Sequence, residues 1–202
     1  MDPRKIPPHL ENPIDNILVG LADKLCPLLY RLDITPNTIT VLSAISIFVA
    51  IYHLIHDRIV AFGCFYALSY WLDCLDGHYA RTYGLTTKFG DYLDHITDLV
   101  GLIAIIAVVV LKYRDYITFP ILFIFACLIY LLGVMFGCQE RYSTHNNNSE
   151  SLDWLKKLCP ADNTSSSLEG SIQWVRFFGA GSFNIFVFLI VCYFHWRKQY
   201  NP

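Results

Sequence analysis

Charge is scarce in this 202-residue chain: 16% of its residues are charged, against about 25% in soluble domains. The net charge is −2, so no broad basic surface is on offer to nucleic acid. Its seven cysteines (Cys26, Cys64, Cys74, Cys127, Cys138, Cys159 and Cys192) include no C-x-x-C pair. An odd count without paired spacing argues against a disulfide framework or a zinc site. Most of these cysteines sit in apolar stretches, which suits small buried hydrophobes. No basic segment running straight into an apolar core stands at Met1, so no cleaved signal peptide is expected.

What the chain has instead is apolar length: 54% hydrophobic residues and a mean hydropathy of +0.40. Residues 1–11 are Pro-rich and polar and are expected to be disordered or loosely attached. From Asn12, Ile14, Ile17, Leu18, Leu21, Leu25, Leu28 and Leu29 recur at helical spacing, with Pro27 a candidate kink. That pattern suits an amphipathic helix lying on the membrane surface. A crossing helix needs about 20 mostly apolar residues. Candidates run over 38–54, 59–81, 89–111, 117–136 and 172–196, the last interrupted by Gly179-Ala180-Gly181. About 30 polar residues before the last of them read as a loop. The expectation is an all-α, polytopic membrane helix bundle with five to six transmembrane helices and an N-terminal interfacial amphipathic helix. Residues 1–34 would form the N-terminal segment and 35–202 the membrane domain.

Against this apolar background stand Asp73, Asp76, Asp94 and Asp98. An Asp near the bilayer centre costs roughly 2.5–3.5 kcal/mol on insertion scales, so four together demand compensation. Asp73 and Asp76 are three apart and Asp94 and Asp98 four apart, which puts each pair on one face of its helix. Two such faces joined by the short turn at 83–87 would make a pocket of four carboxylates. Hard oxygen donors of that kind suit Mg²⁺ or Mn²⁺. Two divalent ions would balance the four charges.

The order Asp73-x-x-Asp76-Gly77-x-x-Ala80-Arg81, eight residues, then Gly90-x-x-x-Asp94-x-x-x-Asp98 resembles the signature of the CDP-alcohol phosphotransferases, with eight fixed positions over 26 residues. Upstream, Thr35-Pro36-Asn37-Thr38-Ile39-Thr40 is similar to the segment that opens that family's first membrane helix. The resemblance implies an integral membrane enzyme of phospholipid biosynthesis. Such an enzyme moves a substituted phosphoryl group from a CDP-alcohol to an acceptor hydroxyl and releases CMP. It also implies Asp73, Asp76, Asp94 and Asp98 at two Mg²⁺ or Mn²⁺ ions, with Asp98 as general base. Arg81 would pair with the pyrophosphate, Gly77 and Ala80 would leave room for the nucleotide, and Gly90 would let the third helix approach closely. Asn37 and Thr40 would add hydrogen bonds. Arg141 and Arg176 are candidates for an acceptor phosphate. Expected partners are membrane lipids, the CDP-alcohol donor and a small alcohol, not nucleic acid; a homodimer is left open.

Small residues in this pattern also occur at plain helix contacts, and Asp91 and His95 read more simply as a solvated carboxylate and a structural histidine. An ion transporter would use intramembrane carboxylates too, but would spread polar residues over several helices. A membrane prenyltransferase would need more spans and a longer interval between its Asp motifs. The short chain favours CDP-diacylglycerol as donor. Asp94-His95 instead resembles the choline and ethanolamine phosphotransferases, which act on diacylglycerol, whereas Asp76-Gly77-His78 resembles the phosphatidylinositol synthases.

With the N-terminus inside, nine basic residues (Arg4, Lys5, Lys24, Arg31, Arg81, Lys88, Arg141, Lys156 and Lys157) fall on the inner side and three (Arg58, Lys112 and Arg114) on the outer. Lys and Arg bias sets orientation, so the aspartates are expected near the cytoplasmic face. Asn147-Asn148-Ser149 and Asn163-Thr164-Ser165 match the N-glycosylation pattern and should stay unmodified in endoplasmic reticulum. A sequon inserted into a lengthened loop at Asp57 should be glycosylated. Sugar on Asn147 or Asn163 would overturn this orientation.

Overall fold

The computed structural model describes residues 4, 6–144, 153–162 and 164–200. Among them it is all-helical, with no strand. Seven α-helices follow in order: α1 (Pro13–Arg31), α2 (Pro36–Ile55), α3 (Ile59–Thr82), α4 (Lys88–Tyr113), α5 (Phe119–Thr144), α6 (Ser165–Val175) and α7 (Ala180–Tyr200). Five stretches are long and apolar enough to cross a membrane: α2, α3, α4, α5 and the α6–α7 stretch. The chain divides into two compact units, one of 18–118 with 187–202 and one of 1–17 with 119–186.

In the unit of 18–118 with 187–202, two threonines start the two helices that flank α3. Thr35 accepts a bond from the Thr38 amide and is followed by Pro36, which joins an N-cap to a residue pre-set for the first helical turn. Thr87 caps α4 by accepting from the Gly90 amide at 3.0 Å. Between α3 and α4 the chain turns at Gly84, whose φ of +65° lies in the region that side chains disfavour. α2 and α3 are bound by a reciprocal pair: Ser43 Oγ donates to the Ser69 carbonyl at 2.9 Å, and Ser69 Oγ to the Ser43 carbonyl at 3.0 Å. In a bilayer such bonds, each worth about 0.6 kcal/mol, supplement close packing because apolar burial gives helices no net attraction there. From Leu18 onward, α1 lays Ala22 and Cys26 against Ile39, Leu75 and Tyr79. Leu21 and Leu28 stay exposed, as an interfacial helix requires.

The far ends of α2, α4 and α7 meet at Asp57. Lys112 pairs with it at 2.9 Å, His195 at 3.3 Å and Lys198 at 3.5 Å. Lys112 also donates to the Leu54 and Ile55 carbonyls at 2.6 and 2.7 Å, which α2 leaves open at its C-terminus. Burial alone would raise the Asp57 carboxyl. The Lys112 hydrogen bond and the charges of Lys112, Lys198 and His195 outweigh it and hold the group below its ordinary value.

The last apolar stretch is a short helix followed by a crossing one. α6, with 11 residues, is about 16 Å long at 1.5 Å per residue, too short to cross. α7, with 21 residues, reaches about 31 Å by the same rise. A 3-10 turn over Arg176–Phe178 separates them. Asn12 is fully buried there, donating to the Arg176 carbonyl at 2.7 Å and to Ser182 Oγ at 2.8 Å. Side chains at Gly179 or Gly181 would collide with it.

Three sequence expectations need correction. The described part of the N-terminal segment is anchored: Ile6 and Leu10 are buried in the core of the unit of 1–17 with 119–186. Arg4 pairs with Glu11 at 2.6 Å. The described part of the polar stretch after 136 is largely helical: α5 continues to Thr144, and Leu155 and Leu158 turn inward from a 3-10 segment over Asp153–Leu158. The sequons at Asn147 and Asn163 fall outside the described residues.

The third correction is a disulfide between Cys138 and Cys159. The two lie 21 positions apart, with Cα atoms 4.9 Å from each other. No spacing rule announces such a pair, because it is made by packing: a side chain at Gly137 would strike the Leu155 carbonyl. Its absence lets the two backbones touch beside Cys138. Of the free cysteines only Cys26 is buried, and Cys64 and Cys127 are exposed. A lasting disulfide is usual in oxidising compartments, whereas the Lys and Arg bias puts the end of α5 inside. Alkylation without reduction followed by mass spectrometry should return a linked Cys138–Cys159 peptide. Replacing both cysteines by Ala should cost about 2–4 kcal/mol of stability. Two alkylated, unlinked cysteines would show that the bond does not form.

Candidate active site

The carboxylates come from two helices of one unit. Asp73 and Asp76 stand on the C-terminal half of α3, and Asp94 on the second turn of α4. Their oxygens lie within 4.8 Å of one another, with Asp76 buried and Asp73 and Asp94 partly covered. The structure thus brings three of the four spaced aspartates into one group. Asp98, a turn further along α4, stands outside that group. It reaches the molecular surface although protein packs densely about it, and Asp73 and Asp94 are among its charged neighbours.

The group fits a hard divalent cation. All its donors are carboxylate oxygens, the type that Mg²⁺ and Mn²⁺ take. Asp94 Oδ1 is buried with no hydrogen-bond partner. Buried polar oxygens are seldom left so, and a cation would supply the missing partner.

Asp76 is held from α2. Thr40 Oγ donates to Asp76 Oδ2 at 2.5 Å and also lies 3.2 Å from the Pro36 carbonyl one turn below. The hydroxyl is thereby aimed by its own helix, and it fixes one carboxylate oxygen. Thr40, expected to add a hydrogen bond from this helix, lines the cavity and gives its bond to the aspartate.

Beside the carboxylates opens a cavity of about 120 Å³. Asp76, Gly77, Ala80 and Arg81 form its α3 wall; Asn37 and Thr40 its α2 wall; Gly90, Asp91 and Asp94 its α4 wall. Every residue expected at the donor site therefore lines one cavity. Gly77 makes room chiefly for Arg81, whose Nη1 would stand 3.2 Å from an added Cβ. At Gly90 an added Cβ would meet Asn37 Oδ1 at 2.9 Å and the capping Thr87 Oγ at 3.0 Å. The missing side chain is what lets α4 start against Asn37.

Sequence reasoning passed over Leu85, Thr86 and Thr87, which complete the lining. Thr87 carried a readable signal, a threonine just ahead of an apolar helix; Leu85 and Thr86 carried none. Asp91 lines the cavity with its side chain 47% exposed. His95 Nδ1 is engaged with the Asp91 carbonyl at 2.6 Å. Arg141 and Arg176 belong to the other unit. There Arg141 donates to the Ala161 carbonyl at 2.5 Å. Arg176 donates to the His9 carbonyl and stacks on Phe177 at 4.8 Å.

Comparison with known proteins points the same way. A family model, CDP-alcohol phosphatidyltransferase, matches residues 33–158. The chain is similar to an archaetidylinositol phosphate synthase of Pyrococcus horikoshii, 33% identical over 94 residues, which are 46% of either chain. It thus spans about half the length of that curated relative. No solved structure matches. The matching family uses divalent metal ions.

Proposed function

The chain belongs to the CDP-alcohol phosphatidyltransferase family, and from that premise we propose that it transfers a phosphatidyl group from CDP-diacylglycerol to the hydroxyl of a small alcohol. The observation that carries this reading is the carboxylate group of Asp73, Asp76 and Asp94, with its unpartnered Asp94 oxygen, opening on the cavity lined by Arg81.

In the proposed reaction the acceptor oxygen attacks the phosphorus that bears the diacylglycerol. The bond from that phosphorus to the bridging oxygen breaks, and CMP leaves with the electron pair. Asp98 takes the proton of the acceptor hydroxyl, which is a poor nucleophile until it loses it. Its place at the surface of the span leaves that proton within reach of an acceptor. Arg81 pairs with the pyrophosphate, whose oxygens suit a planar guanidinium. Asp73, Asp76 and Asp94, with Asp98 beside them, would hold two Mg²⁺ or Mn²⁺ ions, which stabilise charge developing on the departing phosphate. Gly77 and Gly90 keep Arg81 and Asn37 in place around the donor, with Ala80 leaving space between them. Thr40 keeps Asp76 turned inward.

The relative's name favours an inositol phosphate as acceptor. In that reading the phosphate meets guanidiniums, and Arg141 and Arg176 are the candidates. A CDP-aminoalcohol donor with diacylglycerol is the alternative chemistry, and ion transport the alternative class.

Purified protein supplied with CDP-diacylglycerol and a panel of inositol, inositol phosphate, glycerol 3-phosphate and serine should release CMP with one acceptor. EDTA should stop turnover, and Mg²⁺ or Mn²⁺ should restore it. Asp94→Asn should abolish turnover. Asp98→Asn should lower it by about 10²–10⁴-fold, the usual loss with a general base. Full turnover in metal-free buffer would overturn the proposed site, and a loss of only a few-fold in Asp98→Asn would assign the base elsewhere.

A further inference from the structure

The α3 residues behind the cavity wall make a second set of contacts. Asp76, Gly77, Ala80 and Arg81 face the cavity, while His78 and Tyr79 turn to α1 and its exit. His78 is 1% exposed, and its Nε2 lies 2.5 Å from Asp23 Oδ1 on α1. Thr82 Oγ approaches the same nitrogen at 3.5 Å and donates to the His78 carbonyl at 2.8 Å. Tyr79, also 1% exposed, donates its hydroxyl to the Ile34 carbonyl at 2.9 Å. Tyr79 also packs in one buried cluster with Ala22, Cys26, Ile39 and Leu75.

The two polar ties differ in kind. Tyr79 reaches a backbone carbonyl just beyond α1, which any residue at that position would provide. His78 reaches a side chain with 53% of its surface exposed, on a turn where an interfacial helix could carry any polar residue. A buried imidazole requires a partner for its ring nitrogens, and here His78 Nδ1 has none. The Asp23 bond therefore supplies the principal anchor of the ring. Removing that bond leaves the histidine buried with both nitrogens poorly served. Thr40 and Ser43 hold α3 to α2 up to Asp76, so the part free to respond is the end of α3 beyond it, and its shift moves Ala80 and Arg81 along the cavity wall.

We propose that Asp23 is a positioning residue for the donor site: through His78 it fixes the end of α3 beyond Asp76 and so the placement of Ala80 and Arg81 around the nucleotide. The proposal rests on the donor-site reading given above. Asp23 touches no substrate and acts only through the histidine. Ground-state binding of the nucleotide is the quantity it sets, because the residues it steers hold the donor and do not transfer the proton.

The test uses the full chain in lipid nanodiscs. It measures CMP binding by calorimetry with Mg²⁺, and steady-state kinetics with CDP-diacylglycerol and inositol phosphate. Asp23→Ala should raise the CMP Kd and the donor KM at least fivefold, with kcat within twofold and the Mg²⁺ requirement unchanged. Asp23→Asn should stay within twofold of the parent on all counts, since its amide oxygen still accepts from Nε2. If Asp23→Ala does not insert, Asp23→Glu carries the test, because the added methylene displaces the carboxylate and should raise KM with kcat retained. Unchanged KM and Kd in these variants would overturn the proposal. So would a fall in kcat and melting temperature at constant KM, the mark of a merely structural bond. A parent protein that binds CMP but turns over nothing would count against the proposed reaction and leave this test intact through Kd.

Discussion

Carboxylates gathered among apolar, membrane-length helices are the constraint on which this molecule is built. Each intramembrane Asp costs a few kcal/mol unless something offsets it, and a membrane helix does not carry such a group without a use for it. Asp73, Asp76 and Asp94 stand in one place, where a shared counter-charge would serve all three. The geometry of α2, α3 and α4 follows from that demand. Thr40 spends its hydroxyl on Asp76, the Ser43–Ser69 pair holds α2 to α3 lower down, and Gly90 admits the start of α4 against Asn37.

The same unit separates rigid parts from open ones. At the end remote from the carboxylates, Asp57 gathers Lys112, His195 and Lys198 and closes α2, α4 and α7 together. At the carboxylate end, the turn through Gly84 to Thr87 contributes lining to the cavity. Behind the cavity, Asp23 and Tyr79 tie α3 to α1 and to the segment that leaves it. A helix fixed at its back and open at its front can present fixed donors to a ligand without moving, the arrangement that electrostatic catalysis favours.

How much of this was legible depended on whether the signal was local. Helices α2 to α4 could be placed within two or three residues because the apolar runs, the Thr35-Pro36 start and the turn at 83–87 are written in the sequence itself. The aspartate pairing was equally readable, since helical spacing alone puts Asp73 with Asp76. Contacts between distant segments were not. Nothing near Cys138 points to Cys159, because the bond depends on two backbones touching at Gly137. Ile6 and Leu10 looked like parts of a loose polar terminus, because two apolar residues among prolines carry no periodicity. Thr40 could be read as a hydrogen-bonding residue of the site, but its bond to Asp76 depends on how α2 lies against α3. Arg141 and Arg176 were chosen for their charge, and their backbone partners could only be seen once the chain was folded.

The central claim is that the aspartates of α3 and α4 form one divalent-cation site. Counting Mn²⁺ bound to the purified chain by electron paramagnetic resonance tests it without reference to turnover. Two ions per chain, with the short-range coupling of neighbouring Mn²⁺ and both weakened together in Asp94→Asn, is the predicted result. A chain that binds no Mn²⁺, or binds it undiminished in Asp94→Asn, would contradict it.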